Sequence, residues 1–228
     1  MSETPRIDRD AVLQTGPASG LPLLVLLHGY GSDERDLFGL VRALPEGLRI
    51  VSLPAPLPAP WPMPGRSWYP IEELEQGGTA SATAAAAAVL SWIAEEGADA
   101  PTIALLGFSQ GASIALQALR LDRGPDGAGR IDAVIDLSGF ALPGALPGDE
   151  ALRALRIPVF WGRGTHDDVI RPALIDLTAQ WLPDHADLSG RVYPGLTHSV
   201  SEEELADVSR FLERWRDGDR ADGAQSAR

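Results

Sequence analysis

The segment Leu105-Leu106-Gly107-Phe108-Ser109-Gln110-Gly111-Ala112-Ser113-Ile114-Ala115-Leu116 constrains this chain more than any other. An apolar run ends in Gly-x-Ser-x-Gly and passes at once into an Ala/Leu-rich pattern with helical spacing. A strand, a tight turn and a helix in that order are the setting of a nucleophile elbow, where a strained turn lifts a serine hydroxyl above the top of a sheet. Glycine suits positions 107 and 111, because a Cβ at either would collide with the neighbouring strand or helix. The helix that follows also directs its positive end at the serine. The bare motif is weak in a chain with 24 glycines, so its context and partners decide.

The same alternation runs along the whole chain. Residues 21–27 are continuously apolar, as a parallel strand buried on both faces requires. Helical spacing follows over 33–44, then a short strand over 49–53. Six prolines at alternate positions from 54 to 64 read as a stiff loop. An alanine-rich helix is expected over 77–96, strand 102–106 enters the elbow, and helix 109–121 leaves it. Further strands are expected at 131–137, 157–161 and 188–193, and helices at 172–182 and 201–215. Ser201-Glu202-Glu203-Glu204 fits a capping box. The fold class is therefore α/β, with a mostly parallel central sheet and helices on both faces. Between 137 and 157 there is room for a loop and one short helix, not a large cap. Residues 1–20 read as a lead-in with one edge strand, 21–216 as the folded body, and 217–228 as a polar, disordered tail.

Composition narrows the function. With no cysteine, the chain has no disulfide, thiolate metal site or cysteine nucleophile. The net charge is −13, and all 19 basic residues are arginine. Such a surface repels nucleic-acid phosphates and anionic lipid headgroups. No apolar run reaches the length of a membrane span. Met1 to Arg6 lacks the apolar stretch of a signal peptide, so the expected location is cytoplasmic.

In sheets of this kind, ligands bind beyond the carboxyl ends of the strands, where each polar cluster of this chain falls. A serine nucleophile needs a base, and the base needs an orienting acid, in the chain order Ser, Asp or Glu, His. His198 follows the final strand and is the expected base. His166 adjoins the acid candidates, His185 reads as a solvated loop residue, and His28 braces the loop after the first strand. Asp167 and Asp168 both follow the preceding strand and both qualify as the acid. Two backbone donors must meet the oxyanion: the Gln110 amide and one from His28-Gly29-Tyr30-Gly31, with Tyr30 preferred. Trp68 and Tyr69, after the proline-rich loop, are expected to line an acyl pocket, with Phe140 beyond strand 131–137. Trp68 equally fits an anchor for its loop.

With these residues in place, the chain resembles the α/β-hydrolase fold. Within that fold it is similar to the small carboxylesterase/phospholipase family that includes bacterial carboxylesterases and acyl-protein thioesterases. The resemblance covers about 21–215 and rests on Leu27-His28-Gly29-Tyr30-Gly31, Ser67-Trp68-Tyr69, Gly107-Phe108-Ser109-Gln110-Gly111-Ala112, Leu137-Ser138-Gly139, Gly164-Thr165-His166-Asp167-Asp168 and Tyr193-Pro194-Gly195-Leu196-Thr197-His198. It implies Ser109 as nucleophile, Asp167 as acid, His198 as base, and Tyr30 and Gln110 as oxyanion donors. Tyr30 stands where leucine is common, Pro70 where aspartate is frequent, and Asp168 where proline is frequent.

The activity implied is hydrolysis of short- to medium-chain acyl esters, thioesters or lysophospholipids by acyl transfer, with no metal or cofactor. The competing classes are a small serine peptidase, which would need a selecting cap or propeller, and a binding protein on a hydrolase scaffold, which would typically have lost a triad member. The expected partner is a small acyl ester, with no nucleic acid and no stable membrane insertion. A homodimer fits the resemblance, and no sequence feature argues for or against it.

Overall fold

The computed structural model describes residues 5–16, 19–124 and 126–218. In chain order the elements are β1 (Leu13–Gln14), β2 (Leu23–Leu27), α1 (Arg35–Phe38), β3 (Arg49–Leu53), β4 (Leu57–Pro58), β5 (Arg66–Ser67), α2 (Ile71–Glu75), α3 (Ala80–Glu96) and β6 (Ile103–Phe108). They continue with α4 (Gln110–Asp122), β7 (Ile131–Leu137), α5 (Gly148–Leu155), β8 (Ile157–Gly164), α6 (Pro172–His185), β9 (Ala186–Tyr193) and α7 (Glu202–Asp217). Seven strands form one sheet in the order β1-β3-β2-β6-β7-β8-β9. Neighbours are parallel, except that the short edge strand β1 runs antiparallel to β3.

Strand periodicity sorts the apolar residues into two cores. Leu23, Val25 and Leu27 point to one face, where α3 and α4 cover them; Leu24 and Leu26 point to the other, under α1 and α7. All five are fully buried, and each burial contributes about 2 kcal/mol. The alanines of α3 are packing residues: Ala82, Ala85 and Ala86 are buried, and their small side chains let α3 lie close on α4.

Four local expectations are corrected. Helix 33–44 is broken into α1 and a separate 3-10 turn at Val41–Ala43. Gly39, a poor helix former, ends α1, with its N–H shared between the Arg35 and Asp36 carbonyls. The proline-rich loop contains a small hairpin, β4 against β5, in which Pro58 faces Arg66. The capping box is half made: the Ser201 hydroxyl accepts from Glu204 N–H at 3.1 Å, but the Glu204 side chain turns inward and is fully buried. His185 is the buried last residue of α6, stacked on Trp181 one turn earlier with ring centroids 4.3 Å apart. Beyond Gly218 the polar tail lies outside the described residues.

The sequence carries no clear signal for Arg120, which is 1% exposed inside the first core. Its guanidinium grips both carboxylate oxygens of Asp149 (2.8 and 2.9 Å) and donates to the carbonyls of Leu142 and Gly144. It also lies 5.2 Å from the centre of the Trp181 ring. This one cation therefore ties α4, α5, α6 and the loop after β7 together.

Candidate active site

The site grows from the end of β6. Ser109 adopts φ 53° and ψ −117°, a backbone state that L-residues avoid, immediately before α4 begins. The turn is held by Ser109 N–H donating to the Leu137 carbonyl at 2.9 Å. It fits because Gly107 and Gly111 have no side chains. A Cβ on Gly107 would strike the Ala112 backbone, and one on Gly111 would strike the carbonyls of Leu27 and His28.

Two loops from neighbouring strand ends complete the geometry. His198, after β9, approaches Ser109 Oγ through Nε2 at 2.9 Å, and its Nδ1 lies 2.8 Å from Asp167 Oδ2. Asp167, after β8, accepts from the N–H groups of Val169 and Ile170 through Oδ1. Burial alone would raise the Asp167 pKa. The hydrogen bonds from His198 and from the two amides outweigh it, and the carboxyl titrates below its ordinary range. Phe108 packs beside the His198 ring, with centroids 4.9 Å apart. Asp168 is exposed, and the His198 contact belongs to Asp167. His166 is exposed in the same loop, and His185 lies in α6.

His28 is fully buried. Its Nδ1 lies 2.8 Å from the Gly29 carbonyl, and its Nε2 accepts from Ala55 N–H at 3.1 Å. Desolvation lowers its pKa, which keeps the ring neutral and suited to one donor and one acceptor role. It braces the loop that presents Tyr30.

The Gln110 side chain carries a role that the motif alone did not announce. Its Oε1 accepts from Trp68 N–H at 2.8 Å, and its Nε2 donates to the Tyr69 carbonyl at 2.8 Å. The side chain thus clamps loop 67–69 onto the elbow, with the Ser67 hydroxyl closing the turn on the Tyr69 carbonyl at 2.7 Å. A buried amide one residue after the serine, facing a Ser-Trp-Tyr loop, was the available signal.

A cavity of about 360 Å³ opens beside Ser109 and His198. Tyr30, Tyr69 and Phe140 line it, with Leu74 and Ile71 from α2 and Ile170 and Leu174 around the start of α6. Trp68 does not line it. The indole is 1% exposed in the first core and donates to the His28 carbonyl at 2.8 Å, so it anchors the loop. Burial pushes the Tyr69 phenol up to about 12, and its hydroxyl lies 3.3 Å from Ser113 Oγ. The wall that Tyr69 forms is therefore uncharged near neutral pH.

A mostly parallel sheet and a serine at the elbow after β6, with no large cap among the described residues, define an α/β-hydrolase fold. The model of the Phospholipase/Carboxylesterase family matches residues 10–216, and the chain belongs to that family. It is similar to acyl-protein thioesterase 1 of Debaryomyces hansenii, at 32% identity over 50% of this chain and 48% of that one. The chain therefore spans about half the length of this relative. The crystal structure of esterase PE8 superposes with a TM-score of 0.69 at 26% identity, covering 92% of this chain and 99% of that one. A carboxylesterase from Mesorhizobium loti shares the fold, with a TM-score of 0.70 at 20% identity over 92% of this chain and 99% of that one. Among the described residues no helix is long and apolar enough to cross a membrane.

Proposed function

We propose that the protein is a serine carboxylesterase for short- to medium-chain acyl esters, with thioesters and lysophospholipids within reach of the same chemistry. The observation that carries this reading is the chain Asp167 Oδ2, His198 Nδ1, His198 Nε2 and Ser109 Oγ, with links of 2.8 and 2.9 Å, beside a cavity whose wall is mostly apolar, with Asp36, Glu75 and Arg171 among its charged lining. His198 Nε2 takes the hydroxyl proton as Ser109 Oγ bonds to the acyl carbon, and Asp167 holds the imidazole and stabilises its charged form. The main-chain N–H groups of Tyr30 and Gln110 receive the oxyanion. The tetrahedral intermediate collapses as His198 returns the proton to the departing alcohol or thiol. A water then gives its proton to His198 as its oxygen attacks the acyl carbon, and when the acyl–Oγ bond breaks and the acid leaves, His198 passes that proton to Oγ, restoring Ser109.

The family membership and the likeness to a thioesterase and an esterase support this reading. The test is hydrolysis of p-nitrophenyl esters from acetate to palmitate, with Ser109→Ala as control. We expect a maximum at short or medium chains, limited by the cavity, and a loss of at least about a thousandfold in the variant. A folded wild-type protein without turnover at any length would overturn the esterase assignment. Retained ligand binding by Ser109→Ala without wild-type turnover would favour a binding protein instead.

A further inference from the structure

Asp136 is a carboxyl that the chemistry above leaves unused. It is fully buried at the end of β7, in register with Gly107 of β6 and Trp161 of β8. Its Oδ1 accepts from Gly139 N–H at 2.7 Å, closing a turn over 136–139. Its Oδ2 has no protein partner among the described residues.

That turn touches the site at two places. The Leu137 carbonyl, inside it, holds the Ser109 amide at 2.9 Å. Phe140, the residue after it, is part of the cavity wall. The turn is also tightly packed. Ser138 adopts φ 50°, and a Cβ on Gly139 would collide with the Ala112 side chain and with the Asp136 carboxyl itself. The turn therefore cannot shift without moving the elbow, the wall or both.

We propose that Asp136 is a positioning residue for the acyl-transfer site, acting as an uncharged acid whose bond to Gly139 fixes the turn joining the Ser109 elbow to the Phe140 wall. The inference rests on the esterase reading of that site.

The protonation state follows from the surroundings. Desolvation pushes the Asp136 carboxyl up to about 8, against the opposing effect of the Gly139 hydrogen bond. The charged group that acts on it is Glu204 of α7, which raises it further. The positions facing it from β6, β8 and α4 are Gly107, Trp161 and Ala112, none of which carries a charge. Ionisation would leave a buried carboxylate with one hydrogen bond and no cation. Such a charge is stabilised by opening the turn to water, which displaces Phe140 and loosens the Ser109 amide.

The experiment combines a titration with kinetics on the full chain and its Asp136→Asn and Asp136→Ala variants. The Gly139 amide resonance is followed by NMR from about pH 6 to about pH 10, across the predicted ionisation. It should move with a midpoint near 8 in the wild type and stay flat in Asp136→Asn. KM for an octanoate ester should rise over the same range in the wild type and not in Asp136→Asn. At neutral pH, Asp136→Ala should raise that KM by about tenfold and shift acetate ester kinetics much less, while the isosteric asparagine restores most of the loss.

A wild-type Gly139 amide that stays flat, or an alkaline rise in KM that persists in Asp136→Asn, overturns the proposal. If the wild type turns over no ester, the esterase reading fails. The proposal, which rests on that reading, then falls with it, even where the Gly139 titration still reports the buried acid. If Asp136→Ala does not fold, the asparagine variant alone decides.

Discussion

Ser109 sits in a conformation that costs about 1–3 kcal/mol for a residue with a Cβ, and only glycine adopts it freely. The cost is accepted because this turn lifts Oγ to within 2.9 Å of His198. An inversion of the usual order follows. Glycine in place of alanine near a helix start normally lowers stability, yet Ser109→Gly should be more stable than Ser109→Ala by about 1 kcal/mol, both being inactive. On a chain of this size the difference amounts to about 2–4 °C in the thermal midpoint, and a midpoint lower for glycine would argue against strain at the serine. Gly111 makes the complementary case. An added methyl meets the backbone of β2 rather than a flexible side chain, so Gly111→Ala should cost about 1–3 kcal/mol and most of the activity. An unchanged unfolding midpoint would contradict the close approach.

Among the elements, α4 has the most tasks. Its first residue clamps loop 67–69, its middle packs on α3, and Arg120 near its end grips Asp149, the Leu142–Gly144 loop and the face of Trp181. Removing one partner of a buried ion pair strands the other, so Arg120→Met should lose about 3–5 kcal/mol. Replacing Arg120 and Asp149 together with apolar residues should recover part of that loss. Denaturant unfolding of the single and double variants tests both statements. Losses that simply add would mean the two residues do not act as a pair.

Elements also explain what could be read in advance. Strands 131–137 and 49–53 match β7 and β3 residue for residue, because their Val, Ile and Leu residues sit between turn-forming loops and dominate despite Asp132, Asp136, Arg49 and Ser52 within them. The loop bearing Ser109 was legible from the apolar run of β6, whereas β9 mixes polar and apolar residues and the His198 loop was placed by its Gly-containing turn just before the last helix. The misplaced residues are those for which burial overrode a polar appearance. Glu204 looked like half of a cap and went into the core. His185 looked like a loop residue, yet its ring stacks on Trp181 four positions earlier, one helical turn away. Trp68 fitted a pocket wall and a loop anchor equally, and its indole N–H on the His28 carbonyl makes it the anchor.

At the scale of the whole molecule, two inward-facing carboxyls set the direction of its pH response. In the folded chain Asp136 titrates at about 8 and Glu204 at about 7, against ordinary values of 3.8 and 4.5. In the interval between, the folded state holds protons that the unfolded chain has released. Stability therefore falls as pH rises through that interval and levels off above it. Asp149 and Asp167 act in the opposite sense. Their carboxyls are lowered, so their contribution is complete above the ordinary range and is lost as pH falls through the folded values. Stability should peak in mildly acidic solution. Denaturant midpoints measured from about pH 5 to about pH 9 should decline, and Asp136→Asn combined with Glu204→Gln should flatten the decline. A rise over that range would refute the assignment of either buried acid.

Gln110 has a consequence for selectivity under the proposed chemistry. Its side chain is bolted to the wall formed by loop 67–69, while its main-chain N–H is one of the two groups offered to the oxyanion. Wall and oxyanion site are therefore parts of one lever. An acyl group too wide for the cavity does not merely bind poorly, because by pressing on the wall it drags the amide away from the developing negative charge. Oversized substrates would reveal themselves as slow to react once bound, and the chain would judge size by timing rather than by grip.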